Sequence, residues 1–336
     1  MDSITQLTLG AAVGEAVLGE KVGRRAMLWG AVVGTVPDLD VAFYPLMDEI
    51  AQLSWHRGIS HSLLLSVALA PAFGWVLHRI NKRRGSTKQW TALSAACLLS
   101  AVLLDCFTVY GTQIFQPFSN YQVGFNSISI IDPIYTVPLL VAVITVLFLW
   151  RKPAMAKKVI LAGLIVSTAY LGASLGIKAH VTSVFVSSLE RQGYQYERLM
   201  TTPTLFNTVL WRATAEQQDQ YVVGYYSLFD ARSDISFRTI LRNDQLLSDI
   251  RDSRAVQRLQ WFSNGWYRVQ RQSDSSLLFS DLRFGEVYTS SEQDGTFVFT
   301  WRLTTVDGEV QMTQLDPQID DPGRAIGFLW NRLLGR

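Results

Sequence analysis

Between Ile4 and Ile177 the chain is a series of apolar runs broken by short basic or polar stretches, and after Ile177 no run is long enough to cross a bilayer. A hydrocarbon core asks for about twenty consecutive apolar helical residues, and a backbone inside it must satisfy its own hydrogen bonds. The first half is therefore restricted to packed helices. We expect spans over Ser62 to Leu77, Thr91 to Val109, Pro133 to Trp150 and Val159 to Ile177. Ile4 to Gly19 and Ala26 to Val36 are shorter and rich in small residues, and the first contains Glu15, so both are expected to pack inside the bundle. At 336 residues, 49% hydrophobic and 17% charged, the whole is too apolar for an ordinary soluble enzyme and long enough for two domains. No basic leader precedes the first apolar stretch, so a cleaved signal peptide is not expected.

Basic residues orient the bundle, because Lys and Arg accumulate in cytoplasmic loops. Lys21, Arg24 and Arg25 share one loop; Arg79, Lys82, Arg83, Arg84 and Lys88 the next; Arg151, Lys152, Lys157 and Lys158 a third. The intervening loops, Pro37 to His61 and Gly111 to Asp132, hold only Arg57. They are expected on the outer side, together with Asp2 and everything after Ile177. A net charge of +2 with no long basic stretch gives no footing for nucleic acid. Cys97 and Cys106 share one apolar run and read as buried filler, with neither disulfide nor zinc-thiolate spacing.

After Ile177 the chain carries 16 arginines and one lysine among many Asp and Gln, the composition of a separate soluble domain. Tyr221 to Phe229, Trp266 to Gln270, Ser276 to Phe284 and Thr296 to Leu303 read as strands, the last two bounded by Gln293-Asp294-Gly295 and Asp307-Gly308. Asn243 to Phe262 has apolar residues at helical spacing behind a cap at Asn243. Ile326, Leu329, Trp330 and Leu333 form an amphipathic stripe, fitted to packing on its own domain or to lying on a membrane surface. No internal repeat is evident.

Two of the four histidines stand in Trp55-His56-Arg57-Gly58-Ile59-Ser60-His61-Ser62, at the mouth of an apolar helix. Five residues apart, His56 and His61 would not share a helix face, so a turn must place them, with Gly58 permitting it and Ser60 capping the following helix. Pro37 ends the preceding segment and frees Asp38 and Asp40. Asp105 is ionisable inside an apolar helix, which costs several kcal/mol unless it is paired or hydrated. Its helix is expected to end near Tyr110-Gly111, with Thr108 on the same face. Threading the segments brings Asp38, Asp40, His56, His61 and Asp105 to one membrane face. Imidazoles and carboxylates together suit zinc, or manganese and iron at higher coordination number. Arg57 could orient a carboxylate or bind a phosphate. His78 and His180 lie apart from the cluster.

Asp2-Ser3-Ile4-Thr5-Gln6, Pro37-Asp38-Leu39-Asp40, His56-Arg57-Gly58-Ile59-Ser60-His61-Ser62 and Asp105-Cys106-Phe107-Thr108-Val109-Tyr110-Gly111-Thr112 resemble the YdjM-like family of inner-membrane proteins, classed by their motifs as metal-dependent hydrolases. The resemblance covers roughly residues 1 to 175, and the tail with Phe206-Asn207-Thr208-Val209-Leu210-Trp211 is similar to the extra domain of longer members. The family often has histidine where this chain has Gln6 and Ala101, which leaves His56, His61, Asp38, Asp40 and Asp105, enough for one metal.

The expected fold is an α-helical membrane bundle of about four to six segments followed by an α+β, β-rich domain. The division falls at 1–178, membrane-embedded, and 179–336, extracytoplasmic. The expected activity is metal-assisted hydrolysis of a lipid or lipid-linked phosphate or acyl ester at the outer face, the ion lowering the pKa of bound water and polarising the substrate oxygen. His56, His61, Asp38, Asp40 and Asp105 supply metal ligands, with Asp40, Asp105 and Arg57 as candidate catalytic groups. The rival expectation is a non-catalytic membrane protein braced by a metal or a polar network and presenting its tail to a partner.

Overall fold

The protein is described by a computed structural model over residues 1–82, 84–148, 152–231, 234–287, 295–317 and 321–335. Leu149 and Trp150 of one expected span, Arg83 and Arg151 of the basic loops, and Gln293 and Asp294 of an expected turn lie outside the described residues. The chain forms two compact units. One comprises Met1–Pro45, Trp55–Leu175 and Leu205–Asn207, and the other Leu46–Ser54, Gly176–Thr204 and Thr208–Arg336.

In chain order the helices are α1 (Ser3–Val22), α2 (Arg25–Thr35), a 3-10 helix (Pro37–Leu46), α3 (Glu49–Trp55), a short 3-10 helix (Ile59–His61), α4 (Leu63–Ile80), α5 (Thr87–Asp105), α6 (Pro133–Phe148) and α7 (Pro153–Arg191). Among the described residues α4, α5 and α7 are long and apolar enough to cross a membrane, and α2 with the 3-10 helix after it, bent by 46°, makes a fourth candidate. Described through Phe148, α6 has 16 apolar-rich residues. Leu64 and Val67 on α4, Val137 and Val141 on α6, and Ile165 and Val166 on α7 are exposed, as side chains that meet lipid rather than water would be.

The small residues of α1 and α2 let their backbones touch. A Cβ on Gly30 would stand 2.2 Å from the Gly10 carbonyl oxygen, and one on Gly14 2.3 Å from that of Ala26. Without a hydrophobic drive between helices in lipid, such close approach is what holds them together. Caps fix the neighbouring ends. Ser62, not Ser60, caps α4 by accepting from the Leu65 amide at 3.0 Å. Ser86 and Gln89 form a reciprocal capping box on α5. That helix stops at Asp105, earlier than the expected Tyr110-Gly111, because the following loop takes its carbonyls: Phe125 N–H donates to Cys106 O and Ser127 N–H to Phe107 O. At 39 residues, α7 is about 58 Å long, well beyond one bilayer core.

In the second unit β1 (Arg198–Pro203), β2 (Leu210–Gln217), β3 (Gln220–Ser227) and β4 (Phe237–Leu241) form one antiparallel sheet in chain order. After α8 (Arg254–Phe262), β5 (Tyr267–Arg271), β6 (Leu277–Val287), β7 (Thr296–Val306) and β8 (Glu309–Leu315) form another of the same order, and α9 (Pro322–Leu333) ends the chain. Val181 and Phe185 of α7 pack on Trp211 and Ala213 of β2, while Tyr221 and Val223 of β3 face Leu282 and Phe297 of the other sheet. Asp307 and Gly308, both left-handed at φ 52° and 82°, make the two-residue turn that pairs Val306 with Glu309. The expected helix over Asn243 to Phe262 is interrupted. Asn243 is itself left-handed and donates its side-chain amide to Val269 O, a 3-10 turn covers Asp244–Leu247, and Ser253 caps α8.

Candidate metal centre

Pro37 breaks α2 and opens the 3-10 helix in which Asp38 and Asp40 stand two positions apart. With three residues per turn, that spacing sends the two carboxylates to different sides. Arg57 then reverses the chain between α3 and Ile59–His61. The left-handed residue of this turn is Arg57, at φ 55°, rather than Gly58. Its N–H donates to Asp40 Oδ2 at 3.2 Å, which holds an unfavourable conformation for a side-chain-bearing residue in place.

His61, Asp38 and Asp105 come together. His61 Nε2 lies 3.1 Å from Asp38 Oδ1 and 3.3 Å from Asp105 Oδ2, and one ligand atom from each residue falls within 4.8 Å of the others. Asp105 and His61 are buried and Asp38 half-buried. His56 and Asp40 form a second pair beside this triad. Asp40 Oδ1 is 3.0 Å from His56 Nδ1, and Asp40 Oδ2 accepts from Ser60 Oγ at 2.8 Å. Ser60 Oγ also lies 3.0 Å from His61 Nδ1. Its single proton is committed to Asp40, so the hydroxyl accepts from His61 Nδ1–H, which leaves the Nε2 lone pair aimed at the two carboxylates.

A lone pair and two carboxylate oxygens make three acceptors with no donor among them. Asp105 Oδ2 is moreover a buried atom with no hydrogen-bond partner. A cation satisfies all three, so the residues present fit a divalent metal; the other resolution is a proton on Nε2. Burial works against that proton, but hydrogen bonds and charge from Asp105 and Asp38 outweigh it and hold His61 above the ordinary imidazole value.

Arg57 closes the other side. Its Nη2 is 3.3 Å from Asp105 Oδ1, its Nη1 donates to Thr108 Oγ1 at 2.8 Å, and its guanidinium stands 4.7 Å over the Tyr110 ring. The Met1 amino group also meets Asp105 Oδ1. Tyr110 in turn meets the His56 ring edge-on at 5.2 Å. His56 alone of the two histidines retains some exposure, 19% of its side chain.

Of the residues marked in the sequence, the structure thus groups Asp38, His61 and Asp105 as possible ligands. Asp40 and His56 stand one hydrogen bond further out, and Arg57 is placed against Asp105. Sequence reasoning missed two contributors, Ser60 as the bridge between Asp40 and His61, and Tyr110 as the wall shared by Arg57 and His56. Both lay within the motifs, but nothing in spacing distinguishes a bridge from a helix cap. Gln6 and Ala101 prove to be neighbours, the Gln6 amide reaching the Ala101 carbonyl at 3.4 Å. The two departures from the family pattern therefore fall on one contact.

The profile of the family described as YdjM inner membrane protein matches residues 1–181. A Bacillus subtilis (strain 168) protein, "Uncharacterized protein YfhP", is 28% identical over 150 residues, which are 43% of this chain and 45% of that relative. The match thus spans less than half of the relative's length. No solved structure matches the chain.

Proposed function

The chain belongs to the YdjM inner membrane protein family, and from that premise we propose that it is a membrane-bound metal-dependent hydrolase acting on a lipid or lipid-linked phosphate or acyl ester at the outer membrane face. The observation that carries the reading is the convergence of His61 Nε2, Asp38 and the unpartnered Asp105 Oδ2. One imidazole with two carboxylates suits zinc, and equally manganese or iron. An ion held there supplies Lewis acidity, polarising a phosphoryl or acyl oxygen and acidifying water.

The chain's own residues divide the remaining work. Asp40, through Ser60, fixes the His61 tautomer, as carboxylates behind metal-binding histidines do. It also binds His56 Nδ1, leaving the Nε2 of this partly exposed ring to exchange a proton with substrate or water. Arg57 orients Asp105 and neutralises part of the acidic cluster. Lipid access is supported by exposed Phe43, Phe115, Phe118, Tyr121 and Phe125 on the same loops, an aromatic set suited to headgroup depth. In this reading residues 1–178 are the membrane-embedded catalytic domain and 179–336 an extracytoplasmic domain. A reporter active only in the cytoplasm, fused after Arg336, should be silent; its activity would overturn the outer-face placement.

The test of catalysis is release of headgroup or acyl chain from phospholipid vesicles containing the purified chain, with metal, with chelator and with His56→Ala. Chelator-sensitive release that His56→Ala abolishes without metal loss supports the reading. The non-catalytic reading draws on Arg57, which already gives Asp105 a counter-charge; it is favoured if no phosphate or ester is turned over by a protein shown to hold its metal.

A further inference from the structure

Among the α-helices of the second unit, α9 stands out because none of its twelve residues is buried. Its apolar arc is wide, and only part of it is used. Ala325, Phe328, Leu329 and Leu333 are half-covered, whereas Ile326 and Trp330, one turn apart on the adjoining edge, are 62% and 59% exposed. The helix is nevertheless fixed to its unit. Arg332 makes a forked ion pair with Asp230, 2.7 Å to each carboxylate oxygen, and donates to Tyr225 O, while Leu333 O accepts from Ser227 Oγ. The same anchoring sets α9 beside the 227–230 turn, whose Phe229 is 61% exposed. Ile326 and Trp330 therefore leave an outward apolar edge on a helix that cannot swing away to hide it, and Phe229 is a further exposed aromatic on the turn that anchors its C-terminal end. Arg324, on the polar side, is exposed.

We infer that α9 is an interfacial helix, lying in the plane of the bilayer with Ile326, Trp330 and Phe229 inserted at headgroup depth and Arg324 toward anionic lipid phosphates. Three observations select lipid as the occupant. The chain belongs to an inner-membrane family, and its α7 runs without a break from a candidate span into this unit, so the unit is joined covalently to a membrane-crossing helix. A tryptophan beside an aliphatic residue and a phenylalanine is the composition that partitions to the water–hydrocarbon boundary. Of the two arginines on this helix, which has no acidic residue, Arg332 is held by Asp230, whereas Arg324 is 77% exposed in a loose 3.6 Å pair with Asp321 and can turn to an anionic surface.

The experiment places a nitroxide at Ile326→Cys, Trp330→Cys or Asn331→Cys in the full chain, whose own Cys97 and Cys106 are buried. Each variant is reconstituted in phosphatidylcholine–phosphatidylglycerol vesicles, and collision rates with oxygen and with a water-soluble nickel chelate are compared. The two apolar positions are exposed, and agreement between them guards against a local artefact. At 326 and 330 oxygen collisions are expected to exceed nickel collisions, with the reverse at 331 on the polar side. Nickel accessibility at 326 and 330 equal to that at 331 would put the edge in water and overturn the inference. Exclusion of both reagents, or spin–spin broadening between like-labelled copies, would overturn it in favour of a protein partner or a second copy.

Discussion

Replacing Asp105 by asparagine separates two roles that the geometry assigns to one carboxylate. Asparagine keeps the size and one acceptor oxygen and removes the charge. Arg57, whose guanidinium is almost fully buried 3.3 Å away, then loses its counter-charge. Removing one member of a buried ion pair costs about 3–5 kcal/mol. The Thr108 hydroxyl and the Tyr110 ring retain their hold on the guanidinium, so the lower end, about 3 kcal/mol, is expected. The effect on metal should be larger in relative terms. Loss of an outer partner of a ligand weakens metal binding about 10–100-fold, so loss of a ligand itself should exceed about 100-fold. Equilibrium dialysis with elemental analysis measures the second quantity, and denaturation of the chelated protein in detergent the first. Full metal affinity in a variant destabilised by the expected amount would make Asp105 a brace and refute its place among the ligands.

Three further perturbations address other links. Ser60→Ala removes the bridge that fixes the His61 tautomer and should weaken metal binding about 10–100-fold with little change in fold, measured by the same dialysis; unchanged affinity would show that the bridge is idle. Gly30→Ala drives a Cβ to 2.2 Å from Gly10 O and should lower the stability of the helical unit by about 1–3 kcal/mol, and a variant as stable as the parent would contradict the close α1–α2 contact. Because His61 is held above the ordinary imidazole value, the chelated protein should gain stability as pH falls through that raised value, the gain being complete below about pH 6.5. With metal bound the imidazole must be neutral, so acidification should instead destabilise. Identical melting-versus-pH curves with and without chelator would sink this linkage.

The helical half was legible because apolar length and Pro/Gly punctuation act locally. The ends α5 and α8 take were not: Phe125 and Ser127, in the loop that follows α5, claim the Cys106 and Phe107 carbonyls, and left-handed Asn243 opens a 3-10 turn instead of the expected helix, leaving Ser253 to cap α8. Strand β2 escaped because it is buried on both faces, which erases the alternation that would mark it. Neither sheet announced its likeness to the other, although both run in chain order. At the site, residue types and the common membrane face could be read from the sequence. The partition could not: Asp38 and Asp40 look alike in the chain, and only the three-fold turn of the 3-10 helix sends one to His61 and the other to His56.

That His61, Asp38 and Asp105 hold a divalent ion is tested by the metal content of the purified full chain beside His61→Ala, Asp38→Ala and His180→Ala. His180 is an exposed residue of α7, remote in sequence from the motifs, and serves as the control. One bound ion per chain is expected in the parent and in His180→Ala, with loss in the other two on folded protein. Equal metal in all four proteins, or none above background in a folded parent supplied with zinc, manganese or iron, would contradict the claim.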